Sequence, residues 1–283
     1  MPPNRHLRLR SAPIAPRWRR GTFLEFFHST FASDGRMPAF ATEVQRRAGV
    51  RALVRCAGPR LALFCLADEH AHVVGAGSRG ETGHLGRAIR AALANASGVA
   101  IDAARIRPVE SRSHAEWLAR HYIVGQPEKH RLPDDPALYS GSCFQDLAGA
   151  RRVVDLRIDE LLPRFRIEDV MPAVGLPPHR IAPVGKEDIR RLGVTRVADA
   201  AAAVLALDNL RGLTAPVVAA RRVAVQLCDR ASVARPEIAH GLGLSLRAVR
   251  MIVAEPFDIA LARAVCVRLA LEELRARQQR RAS

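Results

Sequence analysis

Two histidines, a tyrosine and a glutamine stand at spacings that could bring their side chains to one centre. His70 and His72 flank a single residue, and Tyr122 precedes Gln126 by four residues. Residues i and i+2 of a strand share a face, as do residues i and i+4 of a helix. Two imidazoles and an amide oxygen could bind a divalent metal ion, which would polarise a phosphodiester. The phenol, whose pKa is about 10 in isolation, could then attack phosphorus as a nucleophile. The pattern predicts the chemistry of a DNA strand nickase.

The neighbouring residues indicate which elements would position these side chains. The apolar run Leu61–Ala67 and the valines after His72 predict a buried strand that ends at the histidines and resumes after them. Ala115, Leu118 and Tyr122 fall on one helical face, and Pro127 places the tyrosine near the end of that helix. Two alternatives stay open, since paired histidines often have structural roles and a helical tyrosine often packs in a core.

The chain has one other tyrosine, and one other histidine could approach the metal. Tyr139 lies in a loop-like segment, residues 134–142, and is the weaker candidate for the nucleophile. His28 follows two phenylalanines in what looks like a first strand. It would lie near the metal if that strand paired beside residues 70–74, although packing is the simpler interpretation.

These motifs resemble those of the single-tyrosine HUH transposases, especially the REP-associated tyrosine transposase branch. Residues 70–72 occupy the family's histidine, hydrophobic, histidine triplet, and residues 122–127 match its tyrosine motif, which resembles YIxxNP. Residues 132–142 match a proline-acidic segment that ends in a serine pair, Ser140 and Ser142. The resemblance covers roughly residues 20–150.

The resemblance implies an α+β fold with a ferredoxin-like antiparallel sheet, two histidines on a central strand and helices on one face. It also implies that His70, His72 and Gln126 bind Mg²⁺ or Mn²⁺, and that Tyr122 forms a 5′-phosphotyrosine with single-stranded or hairpin DNA. Related enzymes often act as dimers, so a homodimer is a further expectation.

Two positions depart from the family pattern. Glu69 stands where relatives usually have Asn before the first histidine, and Asp68 precedes it. These two acids could assist the metal from outside its ligand set, or simply form a turn. Gln126 replaces a frequent Asn and keeps a carbonyl oxygen that suits a hard cation.

Composition favours a polyanionic partner. The chain has 44 basic and 28 acidic residues, a formal net charge of +16, which favours DNA binding through counterion release. Residues 1–20 read as a basic, flexible arm in which Arg17, Arg19 and Arg20 could contact phosphates. The chain shows neither a secretory signal nor an apolar run long enough to cross a membrane, and its five cysteines have no disulfide spacing. We therefore expect a cytoplasmic protein without a membrane partner.

Changes in composition along the chain predict its domains. We expect the nuclease-like domain at residues 21–150, a connector rich in proline and glycine at 151–195, and an all-helical domain at 196–283. Residues 235–253 of that last domain resemble a helix-turn-helix. Ser245 would cap its second helix, while Arg247 and Arg250 would face outward toward duplex DNA.

Two other functional classes remain open at this point. A domesticated, non-catalytic regulator would keep the helix-turn-helix and the basic arms but would not cleave DNA. A metal-bound structural or hydrolytic protein without a nucleic-acid substrate is the third class, and the basic composition disfavours it.

Overall fold

The computed structural model describes residues 25–282, which divide into two compact units. The sheet unit comprises residues 25–147 and 153–180, and the helical unit comprises residues 148–152 and 181–282. The predicted basic arm, with Arg17, Arg19 and Arg20, lies outside the described residues.

Four strands of the sheet unit form one antiparallel sheet with the order β2-β3-β1-β4. The strands are β1 (Phe26–Ala32), β2 (Leu61–Ala67), β3 (His70–Ala76) and β4 (Arg105–Pro108). With one long helix after β1 and another after β3, the chain order is β-α-β-β-α-β. The protein is therefore α+β with an antiparallel sheet, as the sequence predicted at this coarse level.

The two predicted ligand histidines begin the central strand β3. Asp68 and Glu69 form a turn after β2, and the register then pairs Ala67 with His70 and Cys65 with His72. The expectation that one strand ends at the histidines and resumes after them was therefore wrong. Residues 61–76 form a hairpin, and the two acids are its turn.

The two faces of the sheet have different neighbours because strand side chains alternate. His70 and His72 lie on one face, whereas Ala71 and its partner Leu66 lie on the other. Two long helices, α1 (Glu43–Ala57) and α2 (Arg79–Ser97), pack on this second face. Gly49 of α1 lies directly against Leu66, so the long helices leave the histidine face to the segments that follow β4.

Those later segments are short. After α3 (Arg112–Trp117) comes a π-helical turn (Leu118–Ile123), and α4 (Gln126–Lys129), α5 (Phe144–Leu147) and α6 (Ile158–Leu161) follow. The segment between α4 and α5 covers the outer edge of β2 through backbone hydrogen bonds from Leu66 N to Gly141 O and from Cys143 N to Phe64 O, each 3.0 Å.

A buried arginine fixes this segment to the rest of the sheet unit. Arg46 of α1 donates to the carbonyl oxygens of Phe40 and Ala41 and to Ser140 Oγ, and it forms an ion pair with Asp134. Its side chain is only 3% exposed. A buried charge is stable only when its donors are satisfied, so Arg46 couples α1 to residues 134–140.

The helical unit is built around one apolar core to which all five of its helices contribute buried residues. The helices are α7 (Lys186–Val204), α8 (Ala215–Arg230), α9 (Arg235–Leu242), α10 (Leu246–Val253) and α11 (Ile259–Ala282). The predicted connector at 151–195 is thus divided: residues 153–180 belong to the sheet unit, and Lys186 already begins α7. Within residues 25–282, no helix combines the length and apolar character that a membrane crossing requires.

The role of Arg46 generates a stability prediction. Arg46→Met should lower the free energy of unfolding by about 3 kcal/mol, because it leaves buried carbonyl oxygens and Asp134 without their partner. The matched control is Arg55→Met, an exposed position near the end of the same helix, where we expect a change within about 0.5 kcal/mol. Urea unfolding measures both, and equal midpoints for the two variants would contradict this role.

Candidate functional site

A cluster of imidazoles occupies the histidine face of the sheet. The register places Thr30 of β1 opposite His72 of β3, and His28 lies two residues earlier on the same face. His72 Nδ1 lies 3.1 Å from His28 Nε2 and 3.3 Å from Thr30 Oγ1. The rings of His70 and His72 have their centroids 4.8 Å apart. Because β1 pairs with β3, His28 and Thr30 reach Nδ1 of His72 and fix the orientation of its ring.

Burial keeps these imidazoles neutral. Burial, together with smaller effects of the neighbouring His70 and His28, lowers the pKa of His72 to about 2. Burial likewise lowers the pKa of His28 to about 4. The pKa of His70 is also lowered, chiefly by burial and against the effect of its hydrogen bond to Gln126. Neutral imidazole is the form that binds a metal ion.

Tyr122 lies against this cluster. Its ring centroid is 4.9 Å from that of His72 and 5.8 Å from that of His28, and both ring pairs are edge-to-face. Lys129 Nζ lies 4.8 Å from the centroid of the tyrosine ring. The predicted nucleophile and the predicted ligand His72 are therefore neighbours, although they are 50 residues apart in sequence.

The π-helical turn explains how a second aromatic side chain reaches Tyr122. In an α-helix, residues five apart point about 140° away from each other. The hydrogen bonds of a π-helix run from i to i+5, so residues at this spacing come close to alignment. Trp117 accordingly stacks on Tyr122, with ring centroids 4.6 Å apart and an interplanar angle of 24°. Such turns occur often at functional sites.

The predicted amide ligand faces His70. Gln126 is fully buried at the start of α4, and its Nε2 donates to the carbonyl oxygen of Tyr122 at 2.9 Å. This bond turns Oε1 toward His70, whose Nε2 lies 3.4 Å away. Two ligands bound at right angles to one Mg²⁺ or Mn²⁺ ion, each about 2.1 Å from it, would be about 3 Å apart. His70 Nε2 and Gln126 Oε1 are close to that separation.

Imidazole nitrogen and amide oxygen are donor types that suit the predicted metal ion, and His72 would be the third ligand. If Nδ1 of His72 carries the proton and donates to His28 or Thr30, Nε2 keeps its lone pair for a metal. No group of three or more His, Cys, Asp or Glu residues in the described part of the chain is arranged to hold a metal ion. The predicted ligands include only two residues of these four types, His70 and His72, because the third predicted ligand is the amide of Gln126.

The two acids of the hairpin turn lie beside His70. Asp68, Glu69, His70 and His130 line an open cavity of about 200 Å³. Glu69 forms an ion pair with Arg36 at 2.9 Å, whereas Asp68 Oδ1 and His70 Nδ1 are buried without a hydrogen-bond partner among the described residues. Burial raises the pKa of Asp68. An unsatisfied acceptor and an unsatisfied imidazole nitrogen thus border one cavity.

Tyr139 has the environment of a structural residue. It is fully buried, its hydroxyl donates to the carbonyl oxygen of Leu66 at 2.8 Å, and Arg46 lies over its ring. Burial raises the pKa of its phenol above the usual range. Of the two tyrosines, only Tyr122 is near the imidazoles.

The other predicted DNA contacts lie in the helical unit. A turn of three residues joins α9 to α10, and Gly243 adopts a positive φ of 63° there. Ser245 caps α10 by accepting a hydrogen bond from Ala248 N at 3.1 Å. Val249 is buried, while Arg247 and Arg250 are exposed. The Ser245 cap and the two outward arginines lie as the sequence predicted.

Sequence reasoning gave less weight to several residues that contribute to the cluster. His28 and Thr30 alternate along β1, and this period of two was the only local signal that both share a face. Trp117 and Lys129 had no such signal, because their approach to Tyr122 depends on the π-helical turn and on the start of α4.

Comparisons of this chain with protein families, with curated proteins and with solved structures found no match.

The cluster predicts how mutations should affect metal binding. His70→Ala should abolish Mn²⁺ binding because it removes a ligand, and His28→Ala should weaken binding by about tenfold or more because it removes a partner that orients His72. His84→Ala, on the exposed surface of α2, is the matched control and should bind as the wild type does. Electron paramagnetic resonance of free Mn²⁺ measures all three. Wild-type affinity in His28→Ala would refute the orienting role.

Proposed function

We propose that this protein is a metal-dependent DNA endonuclease and strand transferase that acts through a covalent 5′-phosphotyrosine at Tyr122. The observation that carries the proposal is the position of the Tyr122 ring, 4.9 Å from the ring of His72. His72 and His70 share a face of β3, and Gln126 Oε1 approaches His70 from α4. A potential nucleophile and three potential metal ligands thus converge from three elements.

The strand order supports the resemblance to the single-tyrosine HUH transposases. In a ferredoxin-like sheet, a β-α-β-β-α-β chain gives four antiparallel strands with the first and third in the centre. The order β2-β3-β1-β4 has that form and places the histidines on a central strand. The net charge of +16 supports a DNA substrate.

In the proposed reaction the Tyr122 oxygen forms a bond to phosphorus and the bond from phosphorus to the 3′ oxygen breaks. The phenol gives up its proton and the departing 3′ oxygen gains one, so the products are a 5′-phosphotyrosine and a free 3′-hydroxyl. Because the phosphodiester is exchanged rather than hydrolysed, reversal or transfer to another 3′-hydroxyl needs no ATP. Lys129, whose Nζ lies 4.8 Å from the centre of the Tyr122 ring, would bring a positive charge to the phosphate that the phenol attacks.

His70, His72 and Gln126 would hold the Mg²⁺ or Mn²⁺ ion. When bound, the ion would supply Lewis-acid polarisation of the scissile phosphate. His28 and Thr30 would orient His72 through its Nδ1. Asp68 lines the same cavity as His70, and the buried Asp68 Oδ1 and His70 Nδ1 each lack a hydrogen-bond partner among the described residues. Asp68 would therefore orient a ligand, while Glu69 is engaged by Arg36.

A second candidate function is duplex DNA binding by the helical unit, which a non-catalytic regulator would retain. It is favoured by α10, whose capped N-terminus and exposed Arg247 and Arg250 resemble the recognition helix of a helix-turn-helix. In the nuclease, this helix would hold duplex DNA near the cleavage point. A homodimer remains part of the proposal by resemblance.

The nuclease proposal predicts different behaviour for the two tyrosines. Labelled single-stranded and hairpin DNA from the genomic flanks, incubated with the protein and Mn²⁺, should give a covalent adduct that survives a denaturing gel. Tyr122→Phe and His70→Ala should give none. Tyr139→Phe should still form the adduct while lowering the free energy of unfolding by about 1 kcal/mol, because it loses one buried hydrogen bond.

Three results of that experiment would reject the proposal that Tyr122 is the nucleophile of a nuclease. An adduct that persists in Tyr122→Phe would assign the chemistry to another residue. Metal-independent DNA binding without any adduct in the wild type would favour the regulator, and turnover of DNA without an adduct would indicate an ordinary metal hydrolase.

The role of α10 is tested separately with duplex DNA. Arg247→Gln and Arg250→Gln should each weaken duplex binding and reduce the slope of log affinity against log salt by about one. Arg263→Gln, an exposed arginine on α11, changes the net charge equally and should leave the slope unchanged. Identical slopes for all three variants, measured by fluorescence anisotropy, would exclude α10 as the duplex contact.

A further inference from the structure

Trp117 is a large aromatic residue that remains exposed beside the candidate site. Its relative exposure is 47%, although its ring stacks on Tyr122. An indole that served only to support the tyrosine ring would be more stable if it were covered, because exposed apolar area is unfavourable in water. The exposed part of the indole is therefore available to a ligand next to Tyr122.

Unpaired positive charge lies on the same side of the sheet. Arg105 and Arg107 of the edge strand β4 pair with Thr30 and His28, so their side chains project from the histidine face. Both arginines are exposed, and neither has an ion-pair partner among residues 25–282. The charge of Arg107 is close enough to His28 to lower the pKa of that imidazole. Lys129 adds a cation at the Tyr122 ring.

An exposed aromatic ring beside Tyr122, with arginines projecting from the same face of the sheet as His28 and Thr30, suits a single nucleic-acid strand. Every base has a flat face that can stack on an aromatic side chain, while the phosphates beside it attract arginine and lysine. A purely apolar partner would leave Arg105 and Arg107 without neutralising charge. Base-paired DNA would not expose the face of an internal base, so the ligand must be unpaired at this nucleotide.

We propose that the exposed face of Trp117 stacks an unpaired nucleobase that flanks the phosphate attacked by Tyr122, with Arg105 and Arg107 holding the adjoining backbone. This inference rests on the proposed function and adds a base-binding subsite to it. Tyr122 and Trp117 then form one stack: the tyrosine supplies the phenol, and the tryptophan fixes the position of the neighbouring nucleotide. Stacking tolerates any base, so this subsite selects for single-stranded structure rather than for sequence.

The chain offers a direct optical test because it has only two tryptophans, Trp18 and Trp117. In a full-length Trp18→Phe variant, all indole fluorescence comes from Trp117. Titration with oligothymidylate, without metal, should quench this fluorescence in parallel with the rise in anisotropy of a fluorescein label on the DNA. An oligomer of abasic nucleotides with the same number of phosphates should bind with much less quenching.

Variants separate stacking from a merely structural role. Trp117→Leu, which keeps an apolar side chain against Tyr122 but cannot stack a base, should weaken oligothymidylate binding by about tenfold. Trp117→Phe should restore most of the affinity because it retains an aromatic face. Circular dichroism and thermal unfolding establish that both variants are folded. A folded Trp117→Leu variant that binds oligothymidylate with the affinity of the wild type would overturn the inference.

The same titration distinguishes failure of this inference from failure of the nuclease proposal. Quenching by oligothymidylate in a protein that never forms an adduct would uphold the subsite and reject the nuclease. Adduct formation without quenching would uphold the nuclease and reject the subsite. DNA binding without quenching, equal quenching by the abasic oligomer, or no binding at all would each reject the subsite.

Discussion

The pairing of β3 between β1 and β2 is the constraint on which the candidate site depends. It places Thr30 opposite His72, sets His28 within reach of the same imidazole, and turns the two predicted ligands His70 and His72 away from α1 and α2. A shift of one residue would turn every side chain of β3 to the other face, so this register cannot slip without losing both the core and the site. The apolar residues that face the long helices, Leu66 and Ala71 among them, therefore stabilise the position of the histidines as well.

Local patterns in the sequence were sufficient for part of this arrangement. The spacing of His70 and His72, the helical setting of Tyr122 and the capped helix after Ser245 each depend on residues a few positions apart, and such patterns can be read without a fold. The sequence left the position of His28 open between the metal site and simple packing, because its approach to His72 requires β1 to pair with β3 across more than 40 residues of chain. The stacking of Trp117 on Tyr122 depends on a π-helical turn, and an α-helical interpretation of the same residues separates the two rings. The connector was predicted too long because glycine and proline were frequent in residues 163–185, although residues 153–180 pack into the sheet unit.

Burial and neighbouring charges place the imidazoles, Tyr122 and Tyr139 in different environments. Burial lowers the pKa of His28 and His72 and so favours neutral imidazoles. The cationic side chains of Arg105 and Arg107 project from the same face of the sheet, and Lys129 lies at the Tyr122 ring. A neutral interior suits metal ligation, and a positive border suits the phosphates of a DNA strand. Tyr139 is held deep in the sheet unit by Leu66 and Arg46, whereas Tyr122 stays partly accessible between Trp117, His72 and Lys129. The positions of these groups form the physical basis for assigning covalent chemistry to Tyr122.

The most direct test of that assignment is to locate the covalent bond by mass spectrometry. After reaction with single-stranded DNA and Mn²⁺, nuclease treatment would trim the bound strand to a short remnant, and trypsin would then cut after Arg120 and Lys129. The account predicts that the peptide of residues 121–129 carries the mass of a 5′-linked nucleotide. A nucleotide on the peptide of residues 132–151, which contains Tyr139 and the serine pair, or on any other peptide, would contradict it.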